Sequence, residues 1–286
     1  MLLKRIMEYG KMIKFSHSVF ALPFALSAAV MANRISELTL NKLIWIIVAM
    51  VSARSAAMGF NRLVDKKYDA LNPRTNGRHL PTGKIQERDI VIFVVLSSLI
   101  FIWSAFMLNW LCFYLSPVAL ATIFLYSYTK RFTSYSHYIL GLGLGISPTG
   151  AWLAVTGAFA LEPVILSAAV VFWVAGFDIL YACHDIDFDK EHDLYSIPAI
   201  LGVKKALWIA RASHLIAFGL LAWLAVPAQF QFIYTAGMII IAGVLMYEHA
   251  LVNENNLSEI DRAFFNMNGI VSIVFFLVIL GDLYLL

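Results

Sequence analysis

The stretch LIWIIVAMVSARSAAMGFNRLVDKKYD, Leu43 to Asp69, decides the fold of this chain. Its first part, Leu43 to Phe60, is apolar apart from Arg54, and a bilayer is crossed by roughly 20 such residues of helix. The segment then turns polar with no helix breaker, and Asn61, Asp65 and Asp69 follow at intervals of four. That spacing places all three on one helix face. Arg54 lies seven residues before Asn61, so it falls on the same stripe, deeper in the membrane. Carboxylates beside hydrocarbon are costly unless something cationic meets them.

Working outward, apolar runs of the same kind recur. The reading gives nine: Phe15 to Met31, Leu43 to Phe60, Ile90 to Leu108, Trp110 to Tyr128, Tyr138 to Val155, Val164 to Tyr181, Ala206 to Val226, Phe232 to Leu251 and Ala263 to Leu285. No strand-period alternation competes with them, which argues for helices and against a barrel. The expectation is an all-α polytopic membrane protein. Nine transmembrane helices would form a bundle around a central cavity open to the cytoplasmic side, as one membrane domain over residues 1–286. Composition agrees: 61% of the 286 residues are hydrophobic and 14% are charged, whereas a soluble domain carries about 25% charged residues. Mean hydropathy is +0.78. The net charge of +3 is small. By itself it says little; no nucleic-acid partner is expected, and no obligate protein partner is evident.

Topology follows from Lys and Arg, which concentrate in cytoplasmic segments. With the N-terminus cytoplasmic and the C-terminus outside, 18 of the 21 basic residues fall on the inner side. Arg34 and Lys42 lie outside, and Arg54 lies within a span. The setting this suggests is the bacterial cytoplasmic (inner) membrane. The basic start and Val30-Met31-Ala32 also fit a cleavable signal peptide, but the balanced count of spans favours a retained helix. Cys112 and Cys183 are too few for a disulfide framework and read as free, buried thiols.

A second acidic cluster follows the sixth span: Asp178, Tyr181, Asp185 and Asp189. It too forms a stripe, while Asp187 points about 200° away from Asp185 on a helix. Asp193 joins the stripe if the helix continues. Asp65 and Asp185 are 120 residues apart, each after an even-numbered span. An internal duplication of four-helix units would account for this, and would turn both clusters toward the same face. Either cluster alone reads equally as a solvated helix end. Two matching clusters on one side point instead to oxygen ligands for Mg²⁺, a hard cation that binds through carboxylates, waters and substrate phosphates.

Asn61, Asp65, Asp69, Asp185 and Asp189 form the candidate ligand set, with Asp178 as a further candidate. Bases nearby could grip a diphosphate: Lys130 and Arg131 after the fourth span, with Tyr126 one turn before Lys130, and Arg74 and Arg78 in the first loop. The competing reading for each is the ordinary excess of basic residues on the inner side. Arg54 either pairs with a nearby carboxylate or reaches an acidic substrate. His17, His79, His137, His214 and His249 show no paired spacing, and His184 and His192 lie partly off the second stripe. All seven read as structural or interfacial, so histidine-based zinc chemistry is disfavoured.

The motifs together resemble the UbiA superfamily of intramembrane prenyltransferases, across nearly the whole chain. Arg54 to Asp69 is similar to that family's first aspartate-rich motif with its upstream Arg. Arg74-Thr75 and Arg78-His79-Leu80-Pro81-Thr82-Gly83 resemble the loop that follows, and Tyr126-Ser127-Tyr128-Thr129-Lys130 resembles its Tyr-x-x-x-Lys element. Asp178 to Asp189 resembles the second motif. The resemblance implies Mg²⁺-dependent transfer of a polyprenyl group from a polyprenyl diphosphate to an aromatic acid, within a membrane lipid environment. Asp65 and Asp185 would then act catalytically, Arg54 could pair with an acceptor carboxylate, and Tyr181 could stabilise an allylic cation through its ring face. Within the family, the resemblance is to the 4-hydroxybenzoate polyprenyltransferase group of quinone biosynthesis. The segment Lys14 to Phe24 departs from the Asp-Lys-Pro pattern of many of those members and looks more like the branch of the futalosine route to menaquinone. A secondary transporter is the alternative from another class, but transporter sites lie near the bilayer midplane. A CDP-alcohol phosphotransferase would need a Gly and Ala-Arg signature that is missing from this sequence.

Overall fold

The computed structural model describes residues 8–13, 21–254 and 256–286. Helices α1 (Leu22–Ala32), α2 (Leu40–Val64), α3 (Lys66–Leu71), α4 (Glu87–Leu108), α5 (Trp110–Thr129), α6 (Ser136–Thr156) and α7 (Leu161–Ala182) come first. After them come α8 (Ile186–Glu191), α9 (Ile197–Leu201), α10 (Val203–Leu224), α11 (Phe232–Leu251) and α12 (Asn268–Tyr284). Among the described residues, eight helices are long and apolar enough to cross a membrane, and α1 is a shorter apolar one. These stand where the nine expected spans fall. The start of the first span, with His17, lies outside the described residues.

Three boundaries differ from expectation. Helix α2 begins at Leu40, where Thr39 caps it by accepting from the Lys42 N–H at 3.3 Å. Helix α10 starts at Val203, which puts Arg211 more than two turns inside the helix, against Trp208, and not in a loop. The last span is entered through a turn at Ile260–Arg262 and a π-helical turn at Ala263–Met267.

The helices pack side by side around a shared core. Phe24 of α1 lies 5.0 Å from Trp173 and 5.1 Å from Phe275, ring centre to ring centre. Ala25, Ala28 and Ala32 beside it are fully buried, so α1 is part of the bundle's interior. Helices α6 and α7 meet through Gly141-x-x-x-Gly145. A methyl at Gly141 would strike the Val171 carbonyl oxygen, and one at Gly145 would sit 2.6 Å from Val171 Cγ2. Small residues at this spacing let two membrane helices approach backbone to backbone.

Asn109 alone joins α4 to α5. Its side-chain oxygen caps α5 by accepting from Cys112 N–H at 2.9 Å, and its amide donates to Leu153 O at 2.8 Å. At that end of the bundle Lys42 also donates to Val155 O, at 2.8 Å, and Arg34 to Ala228 O, at 2.6 Å. Helices α2, α5 and α7 all run toward the opposite end, and their C-termini bring the two acidic clusters together there.

Candidate active site at the end of the bundle

The first cluster sits on a bent helix. Asp65 ends α2 with φ −88° and ψ 6°, and α3 resumes at Lys66. Backbone bonds from Asp65 N–H to Asn61 O (2.9 Å) and from Asp69 N–H to Asp65 O (2.8 Å) keep the helical spacing through the bend. Asn72 then turns extended ahead of Pro73 and stops α3. The second cluster is also interrupted: α7 ends at Ala182, Cys183–Asp185 form a 3₁₀ turn, and α8 carries Asp189. Both aspartates stay on the inner face and are buried, while Asp187 is exposed. Helix α8 ends at Glu191, so Asp193 does not continue the stripe; it takes a positive φ of 53° beyond it.

A cavity of about 170 Å³ lies between these segments. Its walls include Asn61, Asp65, Asp69, Asp178, Asp185 and Asp189, together with Tyr126, Lys130, Arg131, Arg74, Arg78 and Tyr181. Of the site residues expected from sequence, only Arg54 is outside this lining. It lies on α2 about 10 Å deeper than Asn61, at 1.5 Å per residue.

Each expected aspartate ligand meets a base. The Arg74 guanidinium grips both Asp185 oxygens and donates to the Tyr181 hydroxyl at 2.9 Å, with its carbon 5.1 Å from that ring's centre. Such two-point contacts are the strong form of the carboxylate–guanidinium bond. Arg78 donates to Asp69 Oδ1, and Arg62 lies 3.6 Å from Asp69 Oδ2. Arg131 donates to Val64 O at 2.7 Å, lies 3.4 Å from Asp65, and faces the rings of Tyr68 and Tyr128. Lys130 lies 3.7 Å from Asp189.

Electrostatics follow from this crowding. Burial and the neighbouring Asp69 push the Asp65 carboxyl up to about 6, against the pull of Arg131, Lys130 and the Asn61 hydrogen bond. Burial disfavours the Lys130 ammonium, but Asp189, Asp178, Asp185 and Asp65 surround it and hold it above the ordinary lysine value. Burial also works against the Arg74 charge, and its bond to Asp185 more than offsets that.

Several site residues escaped the sequence reading. Arg62 counted there only toward topology, although it stands seven residues before Asp69 and so shares its helix face. Asn72 donates to Asp185 Oδ1 at 3.1 Å, and Ser196 donates to Asp189 Oδ2 at 2.6 Å. Asn72 reaches across 113 residues of chain, and Ser196 stands seven residues beyond Asp189, past the end of α8. Among the described histidines, His137 meets Asp178 at 2.7 Å, and His214 and His249 pair, with Nδ1 and Nε2 3.0 Å apart, across 35 residues of chain. Cys112 and Cys183 are free, and Cys112 is only half-buried.

Oxygen donors fit a magnesium ion better than a soft metal. Among the described residues, no three carboxylate, imidazole or thiolate groups converge into a ready-made metal cluster. Mg²⁺ does not require one, since it keeps waters and takes substrate phosphates as ligands. Asp69 Oδ2 is buried and makes no hydrogen bond among the described residues, which leaves a carboxylate oxygen in reserve.

A helical membrane bundle that gathers two aspartate clusters and their bases around one cavity at its end is the architecture of an intramembrane prenyltransferase. The chain belongs to the UbiA prenyltransferase family, whose model matches residues 21–270. It is 31% identical over 236 residues to the 4-hydroxybenzoate octaprenyltransferase of Methylobacillus flagellatus, covering 82% of this chain and 79% of that protein. With the enzyme of the same name from Edwardsiella ictaluri it shares 32% identity over 228 residues, covering 79% of this chain and 78% of the other. The apo structure of a UbiA homolog from Aeropyrum pernix matches with a TM-score of 0.84 at 35% identity, over 93% of this chain and 98% of that one. A UbiA homolog from Archaeoglobus fulgidus bound to DMAPP and Mg²⁺ shares the fold, with a TM-score of 0.76 at 20% identity over 98% and 100% of the two chains. The protein is an integral membrane prenyltransferase.

Proposed function

We propose that this enzyme transfers a polyprenyl group from a polyprenyl diphosphate to an aromatic acid, 4-hydroxybenzoate, in a Mg²⁺-dependent step of quinone biosynthesis. The observation that carries this reading is the convergence of Asp65, Asp69, Asp185 and Asp189 with Arg74, Arg78, Lys130 and Arg131 on one cavity. The names of its relatives support the acceptor, and the ligands of the Archaeoglobus fulgidus homolog support the donor and the ion.

Asn61, Asp65, Asp69, Asp185 and Asp189 would hold the ion. When bound, Mg²⁺ neutralises the diphosphate and makes it a better leaving group. Arg74, Arg78, Lys130 and Arg131 release part of their hold on carboxylates and donate to phosphate oxygens, bonds that strengthen as charge builds on the departing group. The Tyr181 ring faces the same space and can stabilise the allylic cation. Hydrocarbon around the cavity keeps water from that cation. Arg54, deeper on α2, would meet the acceptor carboxylate.

The excess of Lys and Arg near this end of the bundle supports a cytoplasmic site in a bacterial inner membrane, with the C-terminus outside. The matching placement of the two clusters supports an origin in duplicated four-helix units.

Membranes containing the protein, a polyprenyl diphosphate, Mg²⁺ and 4-hydroxybenzoate test the proposal. Prenylated 4-hydroxybenzoate should form, and should vanish with EDTA and in Asp65→Ala and Asp185→Ala. Diphosphate release without prenylated product would make another aromatic acid the acceptor, as in the futalosine branch. Neither product from folded protein would sink the reading.

A further inference from the structure

Helix α10 carries a basic and aromatic stripe on the face it turns away from the bundle. Ala206, Leu207, Ala210, Ser213 and His214 are buried against neighbouring helices. Lys204, Trp208, Arg211 and Leu215 follow at intervals of four, three and four, which puts them together on the other side. Trp208 is 62% exposed and Leu215 71%. The Arg211 guanidinium carbon lies 5.0 Å from the Trp208 ring centre. Among the described residues Arg211 makes no hydrogen bond and no ion pair. The group nearest its charge from α11 is His249, whose Nε2 meets His214 Nδ1 at 3.0 Å. An imidazole brings no negative charge. Lys205 is exposed one position round the helix, and Lys204 lies 3.6 Å from Glu254.

Ser196 donates to Asp189 just ahead of Val203, so α10 starts at the active-site end of the bundle. Arg211 stands about 12 Å further along, at 1.5 Å per residue. Inside a span, an arginine without an anion is costly. Side chains on a helix lean toward its N-terminus, and Arg211 reaches back over Trp208 in that direction, toward the headgroups. Lipid phosphate is the anion within that reach. Trp is a residue of the membrane–water interface, and exposed Leu215 and Ile216 below offer apolar surface for an acyl chain. A soluble anion would match the charges but not this apolar half.

We propose that Lys204, Trp208 and Arg211 form a binding site for the headgroup of an anionic phospholipid, with Leu215 against its chain. Lys204 and Arg211 donate to phosphate oxygens, and Trp208 packs beside them. Glu254 and the phosphate share the Lys204 ammonium. None of these residues lines the catalytic cavity. The site therefore does not depend on the identity of the prenyl donor or acceptor.

The full chain, purified in detergent and stripped of lipid, should be titrated with dioleoylphosphatidylglycerol or dioleoylphosphatidylcholine and read by native mass spectrometry. Wild type should hold its first phosphatidylglycerol roughly 25-fold more tightly than phosphatidylcholine, since each of two bases near an anionic lipid is worth about fivefold. Arg211→Gln should weaken phosphatidylglycerol binding by about fivefold and leave phosphatidylcholine unchanged. Lys204→Gln should do the same, and with a side chain 72% exposed it tests the stripe without disturbing the fold. The double variant should lose the preference. Wild-type melting without lipid shows that each variant is folded.

Equal affinity of wild type for the two lipids would overturn the proposal. So would a full preference for phosphatidylglycerol in the double variant, which would put the lipid elsewhere on the bundle. Displacement of phosphatidylglycerol by millimolar inorganic phosphate would also overturn it, and would make the stripe a site for a soluble anion.

Discussion

Arg74 and Asp185, 111 residues apart in the chain, meet through a two-point guanidinium–carboxylate contact that joins the first loop to the second aspartate cluster. The same guanidinium reaches the Tyr181 hydroxyl. One side chain thus ties a loop, a candidate ion ligand and a cavity-wall aromatic into a single unit. Arg74→Lys keeps the charge but loses the fork. It should lower kcat/KM for the prenyl diphosphate by roughly 10- to 100-fold, about 1.4–2.8 kcal/mol of transition-state stabilisation. Steady-state kinetics with varied donor would check this. Wild-type kinetics in Arg74→Lys would remove Arg74 from the diphosphate site.

The two clusters should be equally necessary. Asp69→Asn and Asp189→Asn preserve shape while removing one charge each. Both should raise the Mg²⁺ concentration needed for half-maximal activity, and the double variant should be inactive. Titration of activity with Mg²⁺ at saturating donor gives the answer. A shift confined to one cluster would place the ion on one side of the cavity only.

Acid should weaken ion binding before it harms the fold. Asp65 is raised from 3.8 to about 6, so it takes up a proton as pH falls through about 6. Mg²⁺ needs the ionised carboxylate, so its apparent affinity should drop below that pH, toward a limit of about tenfold per pH unit for one proton exchanged. For the ion-free protein the sign reverses. A carboxylate raised in the folded state stabilises the fold fully below its unfolded value of 3.8, and that contribution is lost as pH rises through about 6. Melting curves with and without Mg²⁺ should therefore converge on acidification. Parallel curves across this range would contradict the Asp65 assignment.

Helix packing at α6 and α7 has a separate test. Gly145→Val should push Val171 and the Ser167 carbonyl away, since even a methyl would come within 2.6 and 2.9 Å of them. Overpacking of this kind costs about 1–3 kcal/mol. The variant should melt earlier in detergent, while Gly150→Ala, where a methyl meets nothing within 4 Å, should not. Equal melting of the two would mean that the close approach is not tightly packed.

The spans were legible because hydropathy over twenty residues is a strong signal, and the aspartate stripes because helical spacing survives the bends at Asp65 and Cys183. The bends themselves were hidden. Nothing in Val64-Asp65-Lys66 or Ala182-Cys183-His184 breaks a helix locally, and the turns arise where chain segments close around the cavity. Asn72, Ser196 and His137 were hidden for a related reason: each reaches its aspartate across loops whose path is set by tertiary packing. Arg62 was within reach of the sequence, since its spacing from Asp69 was available. Its charge was absorbed into the count that orients the chain.

The one-residue joint at Asn109 bears on how the protein enters a membrane. With no further chain between them, α4 and α5 have no room for a separate resting point on the surface away from the active site. They must enter the bilayer together as a closed hairpin, carrying the Asn109 amide through hydrocarbon at its tip. That amide is already committed at both ends: its oxygen to Cys112 N–H and its nitrogen to Leu153 O. The second bond can form only when α6 has arrived. The tip of the hairpin and the end of the next helix are thus joined through one side chain, which makes Asn109 a corner shared by α4, α5 and α6.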